Sequence, residues 1–320
     1  MTRKKVQPRL DPRSQKSTPK QHGHAGKHSP PVVSGQWLFT AICWTLSAAA
    51  LCAWAALCLL FWQGSWQLLY HPRIAIARTP ASAGMAFEPV GLAATESGVQ
   101  RLQGWWIPAA PASSFARFTV LYLHGQDGNM GDTVDALARL HDAGVNVLAF
   151  DYRGYGQSQF ARPSEARWLQ DTTWALQYLR ETRHIDPGAI ILDGTALGAN
   201  LALEFADNHP ELAGLIIESP DLAPLNAIFS DARASAVPAK LLVRDRFDLV
   251  AAAPALHIPS LWLLPVTGSS PTLPRAFMQV TALKKLVWLH SEQSPDATYA
   301  QALAQWLNGL TGSSQPAAAH

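Results

Sequence analysis

Between Trp37 and Trp62 the chain runs for 26 residues without a single charged side chain. About 20 residues cross a hydrocarbon core at 1.5 Å per residue, so this stretch is long enough to span a bilayer. Trp37 stands at one end, and Trp62, Trp66 and Tyr70 stand at the other, where an interfacial aromatic belt belongs. A cleaved signal peptide fits less well, because the apolar run exceeds the usual hydrophobic region and the preceding tail is long. Residues 1–35 carry eight Lys or Arg against one acid, Asp11, and are rich in Ser, Pro, Gln and His. Such a segment cannot bury enough apolar surface to offset its chain entropy, so a disordered basic tail is expected there. Under the positive-inside rule the tail stays cytoplasmic, and everything after the span lies on the other side, the periplasm in a bacterial inner membrane.

The net charge of +2 over 320 residues divides unevenly, with about +7 in the tail and −5 from Gln36 onward. A globally basic nucleic-acid binder is therefore excluded. The three cysteines, Cys43, Cys52 and Cys58, all fall inside the apolar run. The remainder has neither a disulfide nor a thiol nucleophile. His22, His24 and His28 form a trio without companion carboxylates, which is weak evidence for a metal.

The expected organisation is a tail at 1–35, a transmembrane helix at 36–66, a globular domain at 67–310 and a flexible C-terminal tail at 311–320. Within the domain, Phe87–Thr95 and Arg101–Pro108 read as a strand pair around Ser97-Gly98. Further strands are expected at Phe118–Leu123, Asn146–Phe150, Ala189–Leu192, Leu215–Ile217, Ser260–Leu264 and Lys285–Leu289. Helices are expected near Met130–Ala143, Ser164–Arg183, Ala199–Asp207 and Pro295–Leu310, with a mixed segment over Pro220–His257. Short apolar runs alternating with amphipathic helices predict an α/β fold, a mostly parallel sheet covered on both faces. Functional groups then belong at the carboxyl ends of the strands.

Three segments carry chemistry. They are Leu121-Tyr-Leu-His-Gly-Gln-Asp-Gly-Asn129, Phe150-Asp-Tyr-Arg-Gly-Tyr-Gly-Gln-Ser158 and Ile191-Leu-Asp-Gly-Thr-Ala-Leu-Gly-Ala-Asn200. In this order they resemble the α/β-hydrolase superfamily, and within it the membrane-anchored branch described as serine aminopeptidase-like or acyl-protein thioesterase-like. Leu69-Tyr-His-Pro72, Gly104-Trp-Trp-Ile-Pro108 and Leu242-Val-Arg-Asp-Arg-Phe-Asp248 add to the resemblance. It implies an α/β-hydrolase fold behind one N-terminal transmembrane helix. It also implies a serine on a Gly-x-Ser-x-Gly turn, a base, an acid and an oxyanion hole.

Set on that pattern, the nucleophile position reads Ala196, in Gly194-Thr195-Ala196-Leu197-Gly198. The acid position reads Gly268, and no Asp or Glu occurs between Leu249 and Glu292. The base position reads Ser294, with His290 four residues earlier as an alternative base. The resemblance places the oxyanion and pocket candidates at Gly125, Gln126 and Leu197, with Asp127 as an exposed carboxylate in the same loop. Thr195 precedes the apex and is a poor substitute nucleophile. Ser158 reads as a turn residue, Asp151 and Arg153 as loop braces, and Glu218 as a structural hydrogen-bonder.

The glycine-rich loops lack a Walker lysine and the dinucleotide fingerprint, and no metal-ligand spacing appears, so no cofactor is expected. Three readings stay open. The first is a pseudo-hydrolase that binds a small acyl or anionic ligand or a protein partner. The second is a working ester, thioester or peptide hydrolase with a non-standard triad. The third is a membrane-tethered structural scaffold. The bilayer itself is an expected partner, through residues 37–62, and nucleic acid is not.

Overall fold

A computed structural model describes residues 34–266, 273–289 and 295–313. By internal contacts the chain divides into Met1–Cys52 and Ala53–His320. In the first unit the described residues belong almost wholly to helix α1, Gly35–Gly64, whose Trp37, Phe39, Trp44 and Leu46 are exposed. Its 30 residues reach about 45 Å, and it is long and apolar enough to cross a membrane.

The second unit begins with the last turns of α1. There Phe61 is buried, and Leu57 and Cys58 pack against the core. Two hydrogen bonds tie these turns down. The Trp54 indole donates to the Ala236 carbonyl at 3.0 Å. The Arg162 guanidinium donates to the Trp62 carbonyl at 2.7 Å. A 3-10 turn, Ser65–Leu68, follows α1 directly.

Among the described residues the main sheet has eight strands: β1 Glu88–Ala94, β2 Gln100–Ile107, β3 Thr119–Leu123, β4 Asn146–Phe150, β5 Ile190–Thr195, β6 Gly214–Glu218, β7 Ser260–Pro265 and β8 Lys284–Leu289. Their spatial order is β8-β7-β6-β5-β3-β4-β2-β1. β1 and β2 form an antiparallel hairpin, β2 pairs antiparallel with β4, and every other pairing is parallel. Helices α2 Val134–Asp142, α3 Glu165–Gln177, α4 Leu197–Asp207 and α5 Pro295–Ser313 supply the longer crossovers and the last covering element. Side chains alternate between faces as the pleat demands. Leu121, Leu123, Leu148, Leu192 and Ile217 face α3 and α4, whereas Val120, Tyr122, Val147, Ile191 and Ile216 belong to the second core with α2 and α5.

Several boundaries shift from the expected ones. β5 runs on through Asp193 to Thr195, and α4 starts at Leu197 rather than Ala199. The helix expected to continue to Arg183 closes through a π turn at Tyr178–Thr182. α5 continues to Ser313, so the first residues assigned to a flexible tail are helical. The mixed segment after β6 holds only short helical turns, at Asn226–Phe229, Ala239–Leu242 and Leu249–Ala252.

In this order β3 lies between β4 and β5, so the chain switches sides there. The carboxyl ends of β3 and β5 meet at that point, where a doubly wound sheet offers its crevice.

Candidate functional site

The strand-to-helix turn between β5 and α4 is built around Ala196. Its backbone sits at φ 50° and ψ −122°, a conformation that L-residues rarely adopt. Such geometry costs on the order of 1–3 kcal/mol and persists only where its surroundings impose it. The surroundings here are backbone. A β-carbon on Gly194 would lie 2.3 Å from the Gly198 carbonyl oxygen. One on Gly198 would lie 2.2 Å from the Leu123 carbonyl oxygen. Only glycine fits at either position, so the Gly-x-x-x-Gly spacing is a packing requirement. The Ala196 N–H donates to the Glu218 carbonyl at 3.1 Å, and its carbonyl accepts from the Ala199 N–H at 3.1 Å. The apex thus carries a methyl group where the family resemblance calls for a hydroxyl.

Opposite the apex runs the loop that follows β3. Gly125 lies close to it, since a β-carbon there would stand 3.1 Å from the Ala196 β-carbon. The Gln126 carbonyl accepts from the His71 N–H at 3.0 Å and from the Tyr155 hydroxyl at 2.9 Å, which fixes the loop. The Gln126 side chain turns back to the turn, and its Oε1 accepts from the Leu197 N–H at 3.3 Å. That N–H is the one to which the family resemblance assigns an oxyanion. Asp127 points away into solvent and pairs with the His71 Nδ1 at 2.7 Å, both side chains being exposed. Thr195 ends β5, in register with Glu218. Gly268, Ser294 and His290 lie outside the described residues.

Beneath the loop the His124 imidazole is fully buried. Its Nδ1 lies 2.8 Å from the Gly125 carbonyl, to which it donates. Its Nε2 faces the Asp151 Oδ1 at 3.5 Å, which is too long for a good hydrogen bond. Two opposite charges so close would favour each other, yet burial prevails over that attraction. It pulls His124 down to about 4 and pushes Asp151 up to about 7. The pair is therefore uncharged between those values. Asp151 accepts from the Met130 N–H at 2.7 Å, and its backbone carbonyl accepts from the Ser158 hydroxyl at 2.6 Å. Arg153 donates through Nε to Asp171 at 2.6 Å. Asp151, Arg153 and Ser158 thus brace the loop after β4.

A buried pair of acids lies under the turn. Asp193 and Glu218, on adjacent strands, are both pushed upward by burial, and for Asp193 the nearby Glu218 charge adds to the effect. Tyr299 of α5 donates to Glu218. Neither Asp193 oxygen has a hydrogen-bond partner among the described residues. Sequence reasoning missed this pair and the Gln126 contact. An Asp interrupting an apolar strand was the available signal for the first, but side-chain direction is not encoded in spacing for the second.

An open groove of about 690 Å³ begins three residues beyond Glu218, bounded by Asp221, Phe229, Phe247, Leu249, Leu273 and Arg275. Asn200, in the first turn of α4, ties together two of its lining residues. Its Nδ2 donates to the carbonyls of Asp221 at 2.8 Å and Phe247 at 3.0 Å. Among the described residues no cluster of His, Cys, Asp and Glu is suited to a metal ion.

Known proteins carry the same architecture. The family model of the serine aminopeptidases, S33, matches residues 115–287. The uncharacterized protein Rv2307c of Mycobacterium tuberculosis is 29% identical over 217 residues, covering 66% of this chain and 72% of that one. The uncharacterized protein YfhR of Escherichia coli (strain K12) is 38% identical over 100 residues, covering 31% of this chain and 34% of its own length. Among solved structures, an esterase of Pyrococcus furiosus aligns with a TM-score of 0.57 at 17% identity, over 75% of this chain and 98% of that one. An α/β hydrolase of Vibrio vulnificus aligns with a TM-score of 0.54 at 23% identity, over 72% and 82%. At such identities the structural likeness concerns the fold alone. With the family model covering more than half of the 320 residues, this chain belongs to the serine aminopeptidase S33 family of α/β-hydrolases.

Proposed function

We propose that this protein is a membrane-anchored pseudo-hydrolase that binds an acyl or anionic ligand at the β5–α4 turn and does not turn it over through a serine. One observation carries the reading: Ala196 occupies the strained apex itself, so no hydroxyl stands where acyl transfer would begin. Loss of a triad nucleophile costs on the order of 10⁶ in turnover, whereas backbone donors and binding alone supply about 10³–10⁴ over water. The backbone donor is retained at Leu197, with an acceptor already on it, the Gln126 amide oxygen. An acyl carbonyl or a carboxylate offers that donor the same kind of oxygen. Asn200, four residues past the apex, joins α4 to the groove beyond Asp221, whose apolar wall suits an acyl chain. Helix α1 supplies the anchor, and the basic tail before it keeps the N-terminus cytoplasmic.

A fluorophosphonate probe tests the reading on the purified full-length protein. Labelling no higher than in a heat-denatured control is expected, both for the native chain and for Ala196→Ser, because the resemblance leaves no base in register. Labelling of the native chain above that control would overturn it.

A further inference from the structure

We infer that the segment after β6, from Asp221 to His257, lies against the lipid leaflet that the end of α1 enters, with Phe229 and Leu241 as its lipid-facing side chains. This rests on the anchoring reading above and deepens it.

One count and one contact bracket the leaflet boundary between Trp54 and Trp62. Twenty residues of helix, enough for a hydrocarbon core of about 30 Å, run from Gly35 to Trp54. From the other end, Arg162 donates to the Trp62 carbonyl, and a guanidinium does not sit in hydrocarbon. Trp62 is therefore at the outer, hydrated side. Trp54 lies eight residues earlier, about 12 Å deeper along the axis. An indole at that depth suits the interface between headgroups and chains.

Trp54 does not stand alone there. Its indole N–H donates to the Ala236 carbonyl, so the backbone of the segment is pinned at the same level. Around this point large apolar side chains are exposed beside basic ones, Arg233, Lys240 and Arg244. Leu241 is 82% exposed, Phe229 is 39% exposed, and Leu222 continues the patch at 65%. Lys240, exposed beside Leu241, has the reach to hold its ammonium among lipid phosphates while its stem lies along the chains. Phe229 belongs both to this patch and to the rim of the 690 Å³ groove. The groove mouth therefore borders lipid, and an amphiphile can enter it from the leaflet without crossing water.

The test uses the full chain in phosphatidylcholine nanodiscs containing a doxyl-labelled lipid. Cys43, Cys52 and Cys58 are replaced by Ala, and an environment-sensitive fluorophore is attached in turn to Leu241→Cys, Trp44→Cys and Val99→Cys. Leu241 and Val99 are both exposed, so these replacements leave the core intact. More than half of the emission should be quenched at positions 44 and 241, and little at position 99 on the β1–β2 turn. Quenching at 44 with none at 241 above the level at 99 overturns this inference and spares the anchor. Quenching at neither 44 nor 241 overturns both. Quenching at 241 without 44 removes the anchor and, with it, this inference, because the leaflet meant is the one that α1 enters.

Discussion

The amide oxygen of Gln126 lies 3.3 Å from the Leu197 nitrogen and accepts its hydrogen. The protein thereby satisfies, from its own loop, the donor that an oxyanion would otherwise take. Any ligand carbonyl or carboxylate must displace that oxygen, and one internal hydrogen bond is worth about 1 kcal/mol net. Gln126→Ala should therefore bind decanoate roughly fivefold more tightly. Gln126→Glu, which places a charged acceptor on the same donor, should weaken decanoate binding. Displacement of a fluorescent medium-chain fatty acid reads both. Unchanged affinity in the Ala variant would place the ligand elsewhere.

Ala196 adopts a backbone conformation that suits glycine better. Ala196→Gly should relieve part of the strain, on the order of 1–3 kcal/mol, less about 0.5–1 kcal/mol for the added freedom of the unfolded chain. The net expectation is a gain of about 1 kcal/mol. Ala196→Val adds a branched β-carbon at positive φ and should cost about 2 kcal/mol. Denaturation of the full chain in detergent micelles measures both. A destabilised Gly variant would contradict the strain.

Gly198→Ala forces a methyl group onto the Leu123 and His124 carbonyls and should cost at least about 3 kcal/mol or abolish folding. Gly309 provides the contrast. It lies in α5 with no atom within 4 Å of an added β-carbon, and Gly309→Ala should gain up to about 1 kcal/mol. Thermal unfolding of the two variants side by side tests whether the glycines of the turn are steric necessities.

Asp151 and His124 give stability a pH dependence whose two parts oppose each other. Asp151, pushed up to about 7, keeps its proton in the folded chain while the unfolded chain loses it near 4. Its contribution is complete below pH 4 and falls by about 1.4 kcal/mol per pH unit until pH 7. His124, pulled down to about 4, stays neutral in the folded chain while the unfolded chain takes up a proton below 6.5. Its contribution is complete above pH 6.5 and is lost at a similar rate as pH falls towards 4. Across the shared window the two slopes cancel. Asp151→Asn removes one of them. Relative to the native chain, its stability should fall as pH is lowered from 6.5 to 4, by about 1.4 kcal/mol per unit. A difference curve flat in pH would show Asp151 to be ionised when folded.

Much of this fold is legible in the sequence because its punctuation is steric. Gly194 and Gly198 mark the turn by excluding every β-carbon, and β4 lies at Asn146–Phe150 as its apolar run predicts. Reading fails where tertiary contact overrides local pattern. The expected strand stops at Leu192, yet Asp193 is buried inside β5, where burial pushes its carboxyl upward. α4 is expected only after Gly198, but the unusual backbone of Ala196 lets the helix begin at the next residue. The Gln126 contact depends on a rotamer, and no spacing rule encodes one.

The joint between β5 and α4 holds its shape through main-chain packing, independently of the side chain at its apex. In engineering terms it is a vacant mount. A single oxygen atom separates the resident residue from a serine, and installing it asks nothing new of the fold. On the reading proposed above, what an engineered variant would have to supply is a proton acceptor, and a ligand carrying its own basic group could bring one in.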